Sequence, residues 1–310
     1  MSRAEFLRLA AGAAGALATG GLLGSAGLAL AADRPVLRRP IPSSGEMLPV
    51  IGVGTAVVYE IEATDAKFPL LVDSIKTFLE NGGSLIDTSP TYGRAEKNLG
   101  EIFRRTGLRK QAFLATKIST TGEKSGIDQV DSAMRDMGTE RFDLLQVHNI
   151  RDTATHLRTI RRLRDEGKVR YVGITTSFDR DYDEFERIMQ RERLDFIQID
   201  YALDNRNAED RILPLARDRG MAVMINLPFG RGRLFSRARG KALPPFAAEI
   251  DCTSWAQFFL KFLLANPAVN AVIPGTDRPE FAIDNLNAAR GRVPDARMRE
   301  QMIRYWEQLS

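Results

Sequence analysis

A chain of 310 residues is long enough to bury a large core, as one big α/β domain or as two ordinary ones. Its 44% hydrophobic and 27% charged content is that of a soluble globular protein, and a formal charge of only +4 does not call for nucleic acid as a partner. One cysteine, Cys252, excludes an internal disulfide and a cysteine-based zinc site, and two histidines, His148 and His156, are too few for a multi-histidine centre, so no metal is expected.

Residues 9–32 carry no charge, are crowded with Ala and Gly, follow Arg3 and Arg8, and close on the A-x-A pattern Ala29-Leu30-Ala31. That pattern is a cleavable secretory signal over residues 1–31, too weakly apolar for a lasting membrane anchor, so no stable insertion is expected after its removal. The run Ser2-Arg3-Ala4-Glu5-Phe6-Leu7-Arg8 resembles a twin-arginine export signal with Ala4 in place of the second arginine. The expected location is the periplasm, reached in the folded state, with the cytoplasm as the alternative. A Pro-rich linker over 32–46 (Pro35, Pro40, Pro42) should then lead into one domain over 47–310.

Within that domain short apolar runs alternate with amphipathic segments. The runs cover 50–53, 85–86, 113–116, 144–147, 169–174, 196–199, 222–225 and 271–273. Between the first two, Phe68, Leu71, Val72, Ile75, Phe78 and Leu79 recur at i, i+3, i+4, i+7, and the pattern stops at Gly82, which predicts a helix. Leu157, Ile160 and Leu163 form a similar stripe ending at Gly167, and Phe185, Ile188 and Met189 form another after Asp179. Strands strictly alternating with helices make a parallel sheet, and eight such units in about 250 residues predict a closed (β/α)8 TIM barrel. An open doubly wound sheet is the alternative, but no G-x-G-x-x-G follows any strand. The longest connection, 227–253, gathers Arg231, Arg233, Arg237, Arg239 and Lys241, either as a solvated loop or as a phosphate site beyond the seventh strand.

Chemistry concentrates at the strand ends. The second strand ends at Asp87, the third at Lys117 and the fourth at His148, and Tyr92 sits in a Pro/Gly turn five residues past Asp87. Singly, these read as a helix cap, a snorkelling amine and a loop imidazole. At three successive carboxyl ends of one barrel they would meet at a single mouth. A phenol titrates near 10, too high for an efficient proton donor at neutrality, and a neighbouring ammonium should lower it. A carboxylate would keep that ammonium charged, and an imidazole could hydrogen-bond the same incoming oxygen. A carbonyl set against Tyr92 and His148 would be polarised to accept hydride.

The motifs D-T-S-P-x-Y-G-x-A-E-x-x-L-G, A-T-K, L-L-Q-V-H and the late I-P-G-T, in that order between about Met47 and Asn285, resemble the aldo-keto reductase superfamily. The resemblance implies an NADP(H)-dependent reductase of small aldehydes and ketones on a (β/α)8 barrel, with NAD(H) as the alternative cofactor and Asp87, Tyr92, Lys117 and His148 at the four catalytic positions. It also implies cofactor contacts. Gly54-Thr55 match the family's G-T, Thr175-Thr176 stand where Ser-Asn usually holds the nicotinamide carboxamide, and Asp87 and Gln198 complete that end. Asn226 replaces a stacking aromatic, and Leu227-Pro228-Phe229-Gly230 resembles the turn over the pyrophosphate. Gly275-Thr276 follow strand eight, Arg278 is the implied partner of a 2′-phosphate, and Asp284-Asn285 fit the adenine-contacting pair. The missing aromatic leaves a second function open, a redox-sensing or regulatory protein that retains NADP(H) and turns over slowly. Oligomeric state is not legible.

Overall fold

The computed structural model describes residues 34–309; the expected signal over 1–31 lies outside them. A hairpin comes first, β1 (Arg38–Pro40) pairing antiparallel with β2 (Met47–Pro49). Eight parallel strands follow: β3 (Val53–Gly54), β4 (Leu85–Asp87), β5 (Phe113–Ile118), β6 (Phe142–Val147), β7 (Val169–Thr175), β8 (Phe196–Asp200), β9 (Ala222–Asn226) and β10 (Val269–Val272). Each of these pairs with the next in sequence. Bridges Ile51↔Val272 and Gly54↔Gly275 join the last strand to the first, so the sheet closes. The expected barrel is the observed one.

Helices fill the intervals: α1 (Phe68–Glu80), α2 (Ala95–Thr106), α3 (Glu123–Met137), α4 (Thr153–Asp165), α5 (Tyr182–Arg191), α6 (Ile212–Asp218), a short α7 (Arg233–Arg237), α8 (Trp255–Leu264), α9 (Pro279–Ala288) and α10 (Ala296–Gln308). The stripe read on α1 is the buried face, with Phe68, Leu71, Ile75, Phe78 and Leu79 inside, and Ser74 joins them while Val72 is only half-buried. The helix α8 is buried on every side, and Ser254 caps it by accepting from the Gln257 N–H.

Period-two alternation sorts the barrel strands into two layers. Leu114 and Ile118 of β5 point out to the helices, whereas Phe113 and Ala115 join Leu85, Leu144, Tyr171, Phe196, Ala222, Met224, Ala271 and Ile273 inside the barrel. The same inner face, continued toward the carboxyl ends, carries Asp87, Lys117, Gln146, Gln198 and Asn226 two residues on and, past Gly173, Thr175 four residues on. The interior is thus apolar below and polar above.

The amino end is closed by the hairpin. Ile41 and Leu48 are buried within the same interior cluster, over the Phe113, Tyr171 and Phe196 rings, whose centroids lie 5.6–6.2 Å apart. Arg39 binds the Asn266 carbonyl at 3.1 Å, and Glu46 pairs with Arg170. Residues 38–46, expected to be linker, are therefore part of the folded body. Proline misled here, because Pro40 ends a two-stranded ribbon whose outer edge needs no donor. The connection 227–253 also differs from a plain solvated loop: it holds α7 and a short 3-10 turn at Pro245–Ile250, and Trp255 donates to the Lys241 carbonyl at 2.9 Å.

Candidate active site

At the carboxyl end of the barrel the polar layer opens into a cavity of about 610 Å3, a size ordinary for a small-molecule or cofactor site. Its floor is an ion pair. Lys117 Nζ lies 2.7 Å from Asp87 Oδ2, with 1% and 2% of the two residues exposed, and donates also to the Thr88 carbonyl at 2.7 Å. The other carboxylate oxygen accepts from Gln146 Nε2 at 3.3 Å and Gln198 Nε2 at 2.9 Å. A buried pair is retained only when its remaining valences are met, and here two amides and a carbonyl meet them. Burial pulls the Lys117 ammonium down, but Asp87 and then Tyr92 outweigh it and hold its pKa above the usual value.

Tyr92 and His148 stand over this floor. Lys117 Nζ is 5.2 Å from the Tyr92 ring centroid, and the tyrosine and imidazole rings meet edge to face at 6.0 Å. The structure brings all four sequence-read positions together; Asp87, Tyr92 and His148 line the cavity, with Lys117 directly behind.

One expectation is reversed. Lys117 does act to lower the Tyr92 pKa, but burial is the larger influence and the phenol ends above its usual value. The hydroxyl stays protonated at neutral pH, the form a proton donor needs. His148 goes the other way: burial, then the charges of Lys117 and Arg151, push its pKa down to about 3, so the ring is neutral. Its Nδ1 lies 3.2 Å from Ser89 Oγ and 3.1 Å from Ser119 Oγ. A hydroxyl donating to Nδ1 leaves the ring proton on Nε2.

The implied cofactor positions divide. Gly54, Thr55, Asp87, Thr175, Gln198, Asn226, Pro228, Phe229 and Gly275 all line the cavity. Thr176 does not: its hydroxyl donates to Asp181 at 2.8 Å, and Ser177 occupies the wall instead. Thr175 gives its hydroxyl to Gln198 Oε1 at 3.0 Å, and Asn226 donates to the Thr176 carbonyl at 3.1 Å. Thr276, Arg278, Asp284 and Asn285 lie outside the cavity lining. Asn285 donates to the Thr276 hydroxyl at 2.9 Å, and Asp284 accepts from Ser254 and Gln257, tying α9 to the start of α8. Arg278 rests 5.3 Å from the Phe281 ring, with Asp277 at 3.5 Å and Glu280 at 3.9 Å.

Two features escaped the sequence reading. Ser119, two residues past Lys117, steadies His148, and only its place just beyond a strand end could have flagged it. Glu96 on α2 is buried against Thr116, which donates at 2.7 Å, and burial lifts its carboxyl to about 7. No amphipathic pattern distinguishes such a glutamate from a surface one.

Comparison with known proteins bears on the family and the fold. The aldo/keto reductase family model matches residues 50–302. The chain is 28% identical to aldo-keto reductase YhdN of Bacillus subtilis over 58% of its own length, and the match spans 57% of that protein. It is 28% identical to methylglyoxal reductase YeaE of Escherichia coli, over 76% of the chain and 84% of the relative. A solved aldo-keto reductase from Klebsiella pneumoniae, in complex with NADPH, superposes with a TM-score of 0.71 at 22% identity, covering 88% of this chain and 95% of that one. With the family model matched from the first barrel strand into the last helix, the chain belongs to the aldo/keto reductase family.

Proposed function

We propose that this protein reduces aldehyde and ketone carbonyls to alcohols, with NADP(H) as cofactor. The observation that carries the reading is the buried Asp87–Lys117 pair held beneath a protonated Tyr92 and a neutral His148 at the floor of one cavity.

The cavity wall fits a dinucleotide. A Cβ on Gly275 would meet nothing within 4 Å, so backbone is presented to open space. Across from it, Leu227 (φ 49°), Gly230 (φ 55°) and Arg231 (φ 55°) hold a left-handed turn whose amides can face phosphate. Bound there, the reduced nicotinamide would supply the hydride. The chain's own groups do the rest. Tyr92 Oη gives its proton to the carbonyl oxygen as that oxygen gains charge, and the Lys117 ammonium stabilises the phenolate left behind. Asp87 keeps Lys117 charged and in place. His148 Nε2–H hydrogen-bonds the same oxygen and orients it. The balance is one carbonyl, one hydride and one proton to one alcohol.

Purified protein should oxidise NADPH in the presence of an aromatic aldehyde, followed by absorbance, with NADH assayed beside it. Binding without turnover would favour the cofactor-retaining regulatory protein. Residues 1–31 are proposed as an export signal for a folded, periplasmic enzyme. Fractionating cells with and without the folded-export machinery tests this, and full-length protein confined to the cytoplasm would refute it.

A further inference from the structure

Behind the His148 imidazole runs a chain of hydroxyls. Ser89 Oγ lies 3.2 Å from His148 Nδ1 and 2.9 Å from Thr91 Oγ1, and it accepts from the Thr91 N–H at 3.3 Å. The amide can only donate. With the Thr91 hydroxyl donating as well, both lone pairs of Ser89 Oγ are filled and its proton points to Nδ1. Ser89 is 1% exposed, whereas Thr91 is an exposed residue, and neither lines the catalytic cavity. The chain therefore leads from the ring to the surface by a route that does not cross the cavity. Ser119 Oγ also reaches Nδ1, at 3.1 Å, but makes no other hydrogen bond among the described residues. It can hold the ring without passing a proton on. The same turn carries Tyr92, whose N–H bonds the Ser89 carbonyl at 3.0 Å, so the phenol and the hydroxyls keep a fixed spacing.

Such a route answers a need of the reaction. Each carbonyl reduced would leave Tyr92 as a phenolate that must regain a proton. Burial disfavours that anion, since it holds the phenol above its usual pKa, so the proton is needed while the alcohol still fills the cavity and keeps water out. Lys117 cannot relay one. Its side chain is wholly buried, and its contacts, Asp87 and the Thr88 carbonyl, belong to residues 2% and 0% exposed. That leaves His148. A serine suits its Nδ1, because a hydroxyl both gives and accepts a proton where a carbonyl would lock one tautomer.

We infer that Ser89 and Thr91 form a proton wire from solvent to His148, which replenishes Tyr92 before the alcohol leaves. The inference rests on the carbonyl-reductase reading above and adds two residues to it. Both act through His148, as positioning residues. Thr91 Oγ1 takes a proton from solvent and gives its own to Ser89 Oγ, which gives its own to His148 Nδ1. The ring releases its Nε2 proton to the alcohol oxygen, and that oxygen passes its hydroxyl proton to the Tyr92 phenolate. One proton enters and one phenolate is neutralised. The ring is left with its proton on Nδ1 and returns to the Nε2–H form once the cavity reopens to water.

The test mixes the full chain, loaded with NADPH, with an aromatic aldehyde in weak buffer containing a pH-indicator dye. NADPH absorbance and proton uptake are followed through the first turnover, and in the parent the two should run together. Thr91→Val puts a methyl where the hydroxyl stood on an exposed residue, and Ser89→Ala leaves Ser119 to hold the ring. In each, NADPH loss should stay near the parental rate while proton uptake lags by roughly 10²-fold, the lower end of what positioned proton-transfer groups contribute. Thr91→Ser should restore simultaneous uptake. NADPH affinity by fluorescence and melting temperature should be parental in all three. Uptake that keeps pace in both Thr91→Val and Ser89→Ala overturns the inference. So does uptake that already lags in the parent, or NADPH loss slowed as much as uptake, which would mean that the hydroxyls only orient His148. A parent that oxidises no NADPH with any aldehyde or ketone would strike down the carbonyl-reductase reading itself, and this inference with it.

Discussion

At the scale of single residues, the proposed reaction separates groups that would touch substrate from groups that hold them. Tyr92 is the only acid over the floor with a proton to give near neutrality. Tyr92→Phe keeps the ring and removes that proton, so carbonyl reduction should fall by roughly 10²–10⁴-fold, while NADPH binding measured by fluorescence stays close to that of the parent. Near-parental turnover in the variant would remove Tyr92 from the role. Lys117 acts through its neighbours. Lys117→Met leaves Asp87 buried with two amides and no cation, an arrangement that costs about 3–5 kcal/mol. It also strips the phenolate of its nearest positive charge. Both a lowered melting temperature and lost activity at every pH are expected. A folded Lys117→Met protein with an unchanged pH–rate profile would sink the tuning argument. The sequence made these four residues legible because each ends a strand or its following turn. It could not show that burial outweighs Lys117 at Tyr92, since desolvation depends on everything packed above the ring.

At the scale of elements, short apolar runs were enough to locate all eight barrel strands, and period 3.6 marked α1, α4 and α5. One misreading has a definite cause. The β1–β2 hairpin has three-residue strands and proline at Pro40 and Pro49, too short for alternation to register and too rich in proline to suggest pairing. Its register is set instead by Ile41 and Leu48 entering the barrel floor. The cofactor contacts expected beyond β10 rest on family spacing; there Asn285 donates to Thr276, and Asp284 accepts from Ser254 and Gln257 of the neighbouring α8 start. Close helix packing was likewise invisible. Gly100 in α2 lies so near α3 that a Cβ would fall 1.9 Å from the Asp136 carbonyl, against backbone that cannot yield cheaply. Gly100→Ala should therefore destabilise the protein despite alanine's better helix propensity, by roughly 1–3 kcal/mol for such overpacking. Thermal unfolding reads this directly, and a variant as stable as the parent would mean that α2 and α3 can part at no cost.

At the scale of the whole molecule, the barrel buries several groups whose charge it does not want, and its stability must follow pH accordingly. Burial is the first cause in each case: it lifts Glu96 to about 7 and Asp200 to about 6, and it lowers His148 to about 3. A carboxyl with a raised folded pKa binds its proton more tightly in the native state, so its contribution is present at low pH and is lost as pH rises toward that pKa. For Glu96 the window runs from the usual 4.5 up to about 7. For His148 the sign is opposite, because the folded state refuses a proton that the unfolded chain takes up; stability falls as pH drops from 6.5 toward about 3. The two slopes oppose each other between pH 4.5 and 6.5, so the parent curve alone cannot separate them. Glu96→Gln can. Its amide keeps an acceptor for the Thr116 hydroxyl and has nothing to ionise. Relative to the parent, the variant should gain stability steadily from pH 4.5 to 7 and level off above. The total follows from 1.36 kcal/mol per pKa unit and comes to about 3 kcal/mol. Denaturant melts at half-unit pH steps measure the difference curve. A flat difference would mean that Glu96 ionises in the fold as freely as outside it, and that the space between α2 and β5 is wetter than its packing shows.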